Sequence, residues 1–182
     1  MSALAHRRLL TTCSGVALAG ALCLATPVLA QETVEVVDGR EVTIGATETI
    51  AYDRVTVANG RVTARDGALA RIDELRLGHQ AGGRAEMRVQ TGARADIDSD
   101  LVIGGAGEGQ LYLDRDGLLS VRSGEGVITL GRDAGSAGVI FIGSYGGALA
   151  PGQLRASRIV SGAGYAGIHF NHTSDDYLFT PD

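Results

Sequence analysis

A short apolar run closed by glycine returns along this chain at a nearly constant interval. Leu75-Arg76-Leu77-Gly78, Leu101-Val102-Ile103-Gly104 and Ile128-Thr129-Leu130-Gly131 set their glycines 26 and then 27 residues apart. Each unit continues through small residues to a second glycine, at Gly83, Gly109 and Gly138. An alternating stretch follows (87–89, 110–113 and 139–142), and a further glycine ends it at Gly92, Gly117 and Gly146. A near-fixed period of this length predicts a solenoid. One strand–turn–strand unit cannot bury its apolar face alone. Stacked units line one interior with Leu, Ile and Val, and pair their backbones at about 4.8 Å per step. An antiparallel sandwich, the other all-β solution, predicts hairpin spacing but no single glycine pattern at a single period. The expected fold is therefore all-β, a parallel β-helix over 31–182 with units near 75–100, 101–127 and 128–152.

The rest of the body reads the same way. Val34-Glu35-Val36 stops at Asp38-Gly39, Val42-Thr43-Ile44 at Gly45, and Val55-Thr56-Val57 at Asn59-Gly60. Leu118 to Val121, Arg158 to Val160 and Ile168 to Phe170 are further apolar alternations. Period-two alternation bounded by turn residues is the strand signal. Asp38-Gly39, Asn59-Gly60 and Asp116-Gly117 are expected to supply the positive φ that tight turns need. Leu69, Ile72 and Leu75 also fit a helical spacing, but Leu75 to Leu77 fits the repeat and is read as strand.

Composition narrows the classes. Twenty-seven glycines in 182 residues disfavour a helical bundle, since each interior glycine costs a helix roughly 1 kcal/mol. Three prolines and no Gly-X-Y period exclude collagen. Aromatic residues are 4% with no Trp, as a narrow interior filled by branched aliphatics would require. All 16 basic residues are Arg; beyond residue 30 there are 14 of them against 21 Asp and Glu, a net charge of −7. An acidic body argues against a nucleic-acid partner, which would need a basic stripe.

The first thirty residues read as a secretory signal peptide. His6, Arg7 and Arg8 precede an uncharged stretch from Leu9 to Leu24, Pro27 breaks it, and Val28-Leu29-Ala30 forms a cleavage site before Gln31. A spanning helix is the competing reading, and Thr11, Thr12, Ser14, Gly15 and Gly20 weaken it. Cys13 and Cys23 both lie in this leader, so the mature chain would hold no disulfide and no thiol chemistry.

Three segments carry a resemblance. Ile128 to Gly143 contains Ile128-Thr129-Leu130-Gly131 and Ala134-Gly135-Ser136-Ala137-Gly138, then Ile142-Gly143. Ala148-Leu149-Ala150-Pro151-Gly152-Gln153-Leu154 follows. Gly162-Ala163-Gly164 then leads to Ile168-His169-Phe170-Asn171-His172-Thr173-Ser174-Asp175-Asp176-Tyr177-Leu178-Phe179, with Pro181 closing the run. These segments resemble the passenger domains of bacterial autotransporters. The resemblance is strong over 128–182, one of pattern over 75–127, and slight over 31–74. It implies a right-handed parallel β-helix, moved across an outer membrane and displayed or released outside the cell. Adhesion, surface interaction and self-association are the roles it implies. Such proteins continue into a membrane-inserted barrel, and no series of barrel strands precedes Asp182. The expectation is the front part of a passenger, or the product of a broken reading frame.

Several segments carry candidate chemistry. Gly162-Ala163-Gly164-Tyr165-Ala166-Gly167 fits a dinucleotide fingerprint, but Ile168 to Phe170 continues as strand where a helix is required. Asp96, Asp98 and Asp100 alternate like the start of a calcium loop, yet Leu101 stands at the turn position and Gly107 at the bidentate one. Gly104 to Gly109 similarly departs from a calcium nonapeptide at Gly109. His169 and His172 lie near Asp175 and Asp176, but residues three apart on a strand face opposite ways. Asn171 and His172 are expected to bond local backbone. The carboxylate pairs Asp175/Asp176 and Asp114/Asp116 would suit a polysaccharide-cleaving enzyme if other groups converged on them. The reading is a non-catalytic adhesive or structural protein with no catalytic, cofactor-binding or metal residues. Its expected partners are host or bacterial surface molecules and, through exposed strand edges, itself; nucleic acid is excluded, and the outer membrane enters only through a missing barrel. Localisation is extracellular or at the surface if joined to a barrel, and periplasmic otherwise. A β-helical polysaccharide-degrading enzyme and a nonfunctional truncated product are the alternatives.

Overall fold

A computed structural model describes residues 32–45, 48–179 and 181 of the chain. The signal peptide read at 1–30, with both cysteines, lies outside the described residues. Within them the protein is all-β. The strands are β1 (Glu32–Val36), β2 (Arg40–Ile44), β3 (Thr49–Val57), β4 (Gly60–Ala64), β5 (Leu69–Leu77), β6 (Arg84–Val89), β7 (Arg94–Ile97) and β8 (Leu101–Ile103). They continue as β9 (Glu108–Leu113), β10 (Leu118–Val121), β11 (Val127–Leu130), β12 (Ala137–Gly143), β13 (Gln153–Arg155), β14 (Arg158–Ser161) and β15 (Tyr165–Asn171). A 3-10 turn at Arg122–Gly124 is the only helical piece among the described residues. The whole of Leu69–Leu77 is strand, so the helical spacing of Leu69, Ile72 and Leu75 was coincidental.

All ladders between these strands are parallel. Up to β7 each paired strand meets the second strand before it; from β8 onward each meets the third. Nine strands form one strongly curled sheet, with the path β13-β10-β7-β5-β8-β11-β14, β3 joined to β5 and β1 to β3. Six form the other, in the order β15-β12-β9-β6-β4-β2. The sheet forks at β5. Its first part, Leu69–Ile72, pairs with β7, and Arg76–Leu77 at its end pairs with β8.

The step between neighbours is not constant. Arg54 reaches Glu74, 20 residues on. Arg61 reaches Glu86 across 25 residues, Val127 reaches Asp100 across 27, and Ser157 reaches Gly126 across 31. The 26- and 27-residue intervals are therefore local to β5, β8 and β11, and steps elsewhere run from 20 to 35 residues. Residues before 75 pair in the same parallel way with a shorter step, which hid them from the glycine count. The alignment of the later glycines also needs correcting. Gly109 and Gly138 stand opposite each other, but their counterpart in β6 is Ala85, not Gly83. Leu118 pairs with Arg94 and with Gln153, which puts Ala93 and Gly152 in line with Gly117, rather than Gly92 and Gly146.

The first glycine of each unit is aligned as expected. Gly78, Gly104 and Gly131 have φ of 63°, 76° and 58°. A Cβ on them would lie 2.4, 2.0 and 2.3 Å from the carbonyl oxygens of Glu108, Ala137 and Tyr165. Only glycine satisfies both the left-handed backbone and the approach of the next strand. Among the expected turns, Asp38 and Gly39 both take positive φ, while at Asn59-Gly60 only Gly60 does. At the third, Arg115 and Asp116 are the positive pair. Gly117 serves close approach instead, since its Cβ would sit 2.0 Å from the Val89 carbonyl.

Like stacks on like inside. Val57, Leu77, Ile103 and Leu130 are successive partners, as are Val62, Met87, Leu111, Ile140 and Ile168. Ala70, Ala95, Leu119 and Leu154 form a column on the curled sheet. These columns make one continuous core of buried aliphatics. Each fully buried Leu or Ile contributes about 1.5–3 kcal/mol, which takes the place of covalent staples.

One buried carboxyl opposes this economy. Asp114, after β9, is 3% exposed, and burial raises its pKa against the opposing charges of Arg115 and Arg88. A raised acid favours folding below its unfolded value, about 3.9, and that contribution is lost as pH rises through the folded value. Relative to Asp114→Asn, the native chain is expected to be less stable at pH 7 than at pH 3. Urea unfolding of both proteins at the two pH values checks this; a constant difference would contradict it.

Candidate functional site

The outward positions of the six-stranded sheet change character along its length. Toward β2 and β4 they are ionic. Arg61 Nε lies 2.8 Å from Glu86 Oε1, Arg88 Nε also donates to Glu86, and Arg84 Nε lies 3.6 Å from Glu108. Toward β12 and β15 they are aromatic and small. Registers place Arg88, Tyr112, Phe141 and His169 in one outward row across β6, β9, β12 and β15. The inward neighbours of each are Leu, Ile, Val, Met or Phe, so strand alternation fixes which side these four face.

The row is continuous. The Arg88 guanidinium carbon sits 4.6 Å from the Tyr112 ring centre. Tyr112 and Phe141 stack at 4.5 Å and 9°, and Phe141 and His169 at 5.1 Å and 19°. Tyr145, in the loop after β12, meets Phe141 edge-on at 5.7 Å. Cross-strand aromatic pairs stabilise a sheet face by about 0.2–1 kcal/mol each. The next outward row supports this one. Tyr112 Oη donates to Gln110 Oε1 at 2.9 Å, and Gln110 Nε2 donates to Glu108 Oε1 at 2.6 Å. Burial, with the charge of Glu86 adding to it, pushes the Tyr112 phenol up, which keeps it a hydrogen-bond donor.

The residues singled out from sequence go elsewhere. Gly162 to Gly167 opens β15, and a Cβ at Gly164 would lie 2.4 Å from the Ser136 carbonyl, so the glycine serves strand stacking. Asp96 accepts from Arg94 Nε at 2.8 Å, Asp98 points to solvent, and Asp100 accepts from the Val127 N–H at 3.0 Å. No three metal-ligating side chains are grouped among the described residues. His169 joins the outward row, whereas His172 packs 4.8 Å from Tyr177. Asn171 does bond backbone, but not locally: its Nδ2 donates to the carbonyls of Ser144, at 2.7 Å, and Gly146, at 3.2 Å. His172 Nδ1 is buried without a hydrogen-bond partner, contrary to the expectation for it.

The carboxylate pairs are separated too. Asp114 is buried while Asp116 is exposed. Asp116 and Asp176 line one groove of about 460 Å³ with Arg155 and Tyr177, and Asp175 is not part of it. A second cleft holds Glu74, Asp100, His79 and Arg132. Burial there would raise the Glu74 carboxyl, but hydrogen bonds from Arg54 and Arg76 outweigh it and hold it below its usual range. Glu74 thus lacks the proton a glycosidase acid must carry. The aromatic row was missed in the sequence, although its signal was present: Leu-Tyr-Leu at 111–113, Ile-Phe-Ile at 140–142 and Ile-His-Phe at 168–170.

Compared with known proteins, the chain matches no family model, no curated protein and no solved structure.

Proposed function

We propose that this is an exported, passenger-like protein whose body is a right-handed parallel β-helix and whose role is adhesive binding without catalysis. The parallel ladders, the step of two or three strands between partners and the continuous aliphatic columns support the β-helical reading. The unbroken outward row Arg88–Tyr112–Phe141–His169 carries the binding reading. It is a rigid face on which side chains from distant parts of the sequence are held at strand spacing. Export follows from the signal-peptide reading, and display at the surface from the resemblance to autotransporter passengers when the chain is joined to a translocating barrel. Beads coated with the protein are expected to attach to host-cell or bacterial surfaces. Failure to attach to either would end the adhesive reading, and sugar release from a polysaccharide would replace it with the enzymatic one.

Self-association belongs to the same proposal. Among the described residues β13, β14 and β15 each end a path of paired strands. Such an edge presents free N–H and C=O groups to another chain. Purified 31–182 is expected to form concentration-dependent oligomers in light scattering. A monomer at every concentration tested would contradict this.

A further inference from the structure

The aromatic end of the six-stranded face has two rings turned toward solvent. Tyr165 is 59% exposed and Tyr145 77%. Tyr165 lies over Gly167: a Cβ there would sit 3.2 Å from its Cε1 and Oη and 3.5 Å from His169 Nε2. Glycine at this outward position is what leaves room for the phenol to rest across the strand. Among the described residues neither phenol hydroxyl is engaged in a hydrogen bond. The ions of this face neutralise one another at its other end, through Arg61, Arg84, Arg88, Glu86 and Glu108. Around the exposed rings the outward residues on β12 and β15 are Ala137, Val139, Phe141, Gly167 and His169, with no carboxylate or guanidinium.

A ligand for this end is therefore uncharged, with an apolar face to lie on a ring and hydroxyls at its rim. Two exposed tyrosines fall well short of the roughly 800 Å² per partner that a stable protein interface buries. They suffice for a ligand recognised ring by ring. We infer that the Tyr145–Tyr165 end of this face binds an uncharged polysaccharide, with pyranose rings resting on the two phenols and sugar hydroxyls meeting their Oη atoms. The inference rests on the adhesive reading and names its ligand class.

Native gels of the full chain, cast with xyloglucan, mixed-linkage β-glucan or amylopectin, test it, with a plain gel and a polygalacturonate gel beside them. Retardation is expected in at least one of the three uncharged gels. Tyr165→Ala and Tyr145→Ala should each weaken it about tenfold, which corresponds to roughly 1.4 kcal/mol. Tyr165→Phe should retain most of it, and Thr49→Ala on the other sheet should leave it unchanged. Both tyrosines are exposed, so an unchanged far-ultraviolet spectrum confirms that the alanine variants fold. No retardation in the uncharged gels, retardation in polygalacturonate alone, or retention unaffected by both alanine variants would overturn the inference. Beads that still attach to cells in that event would leave adhesion standing with another ligand.

Discussion

Gly104→Ala is expected to remove the cooperative unfolding transition at room temperature, or to cost more than about 4 kcal/mol where a transition survives. Two effects add at this residue. Its φ of 76° lies in the left-handed region, which costs an L-residue about 1–2 kcal/mol. The larger effect is steric. The new Cβ would fall 2.0 Å from the Ala137 oxygen, 2.4 Å from its carbonyl carbon and 2.8 Å from the Gly138 nitrogen. These are backbone atoms where β12 begins, held by ladders to β9 and β15, so they cannot give way without parting strands. Gly82→Ala separates the two effects. Gly82 has φ of 75° but nothing within 4 Å of a new Cβ, so it pays only the conformational part, about 1 kcal/mol. Urea unfolding followed by circular dichroism compares them. Equal costs would mean that the close approach at Gly104 does not exist.

The same residue explains what was legible in the sequence. A glycine needed for both φ and space recurs wherever the strands repeat, so Gly78, Gly104 and Gly131 mark the fold in the sequence. The later small positions are not uniform from unit to unit. Ala85 stands opposite Gly109, and Ala93 in line with Gly117, which is why the second and third glycines of each unit were matched wrongly. Three strands escaped for a related reason. β7 is Arg-Ala-Asp-Ile and β13 is Gln-Leu-Arg, each with one large apolar residue, and β4 begins at the glycine read as a turn. Their pairing is imposed by neighbouring strands rather than by their own propensity. The outward face was harder still. Tyr112, Phe141 and His169 meet only once the register is known, because their 29- and 28-residue intervals are not those of the repeating glycines. Of the acidic residues that looked chemical, Asp96 and Asp114 proved to be partners of arginines and Asp100 of a backbone N–H, while Asp98 and Asp116 lie exposed.

Leu111→Ala is expected to cost about 2–5 kcal/mol. Leu111 is wholly buried, in register between Met87 on one side and Ile140 on the other, with Val62 and Ile168 completing the column. The cost of such a truncation depends on how far the surroundings close over the lost volume. Here they are held open. β9 is hydrogen-bonded to both β6 and β12, and a strand spacing of about 4.8 Å cannot contract to fill a gap. The curled sheet across the core is fixed in the same way by β5, β8 and β11. The empty space therefore persists, and its lining loses contacts on one side. Ile168 tests this reasoning within the same column. It is half-buried on β15, which has a partner strand on one side only among the described residues. Ile168→Ala should cost less than half as much as Leu111→Ala, because solvent and a movable edge strand absorb the change. Leu111→Met, which keeps the volume, should cost under about 1.5 kcal/mol. Urea midpoints for the three variants give the order directly. If Ile168→Ala proved as costly as Leu111→Ala, the column would not run from a clamped centre to a free edge, and the stacking that underlies the whole fold would have to be redrawn.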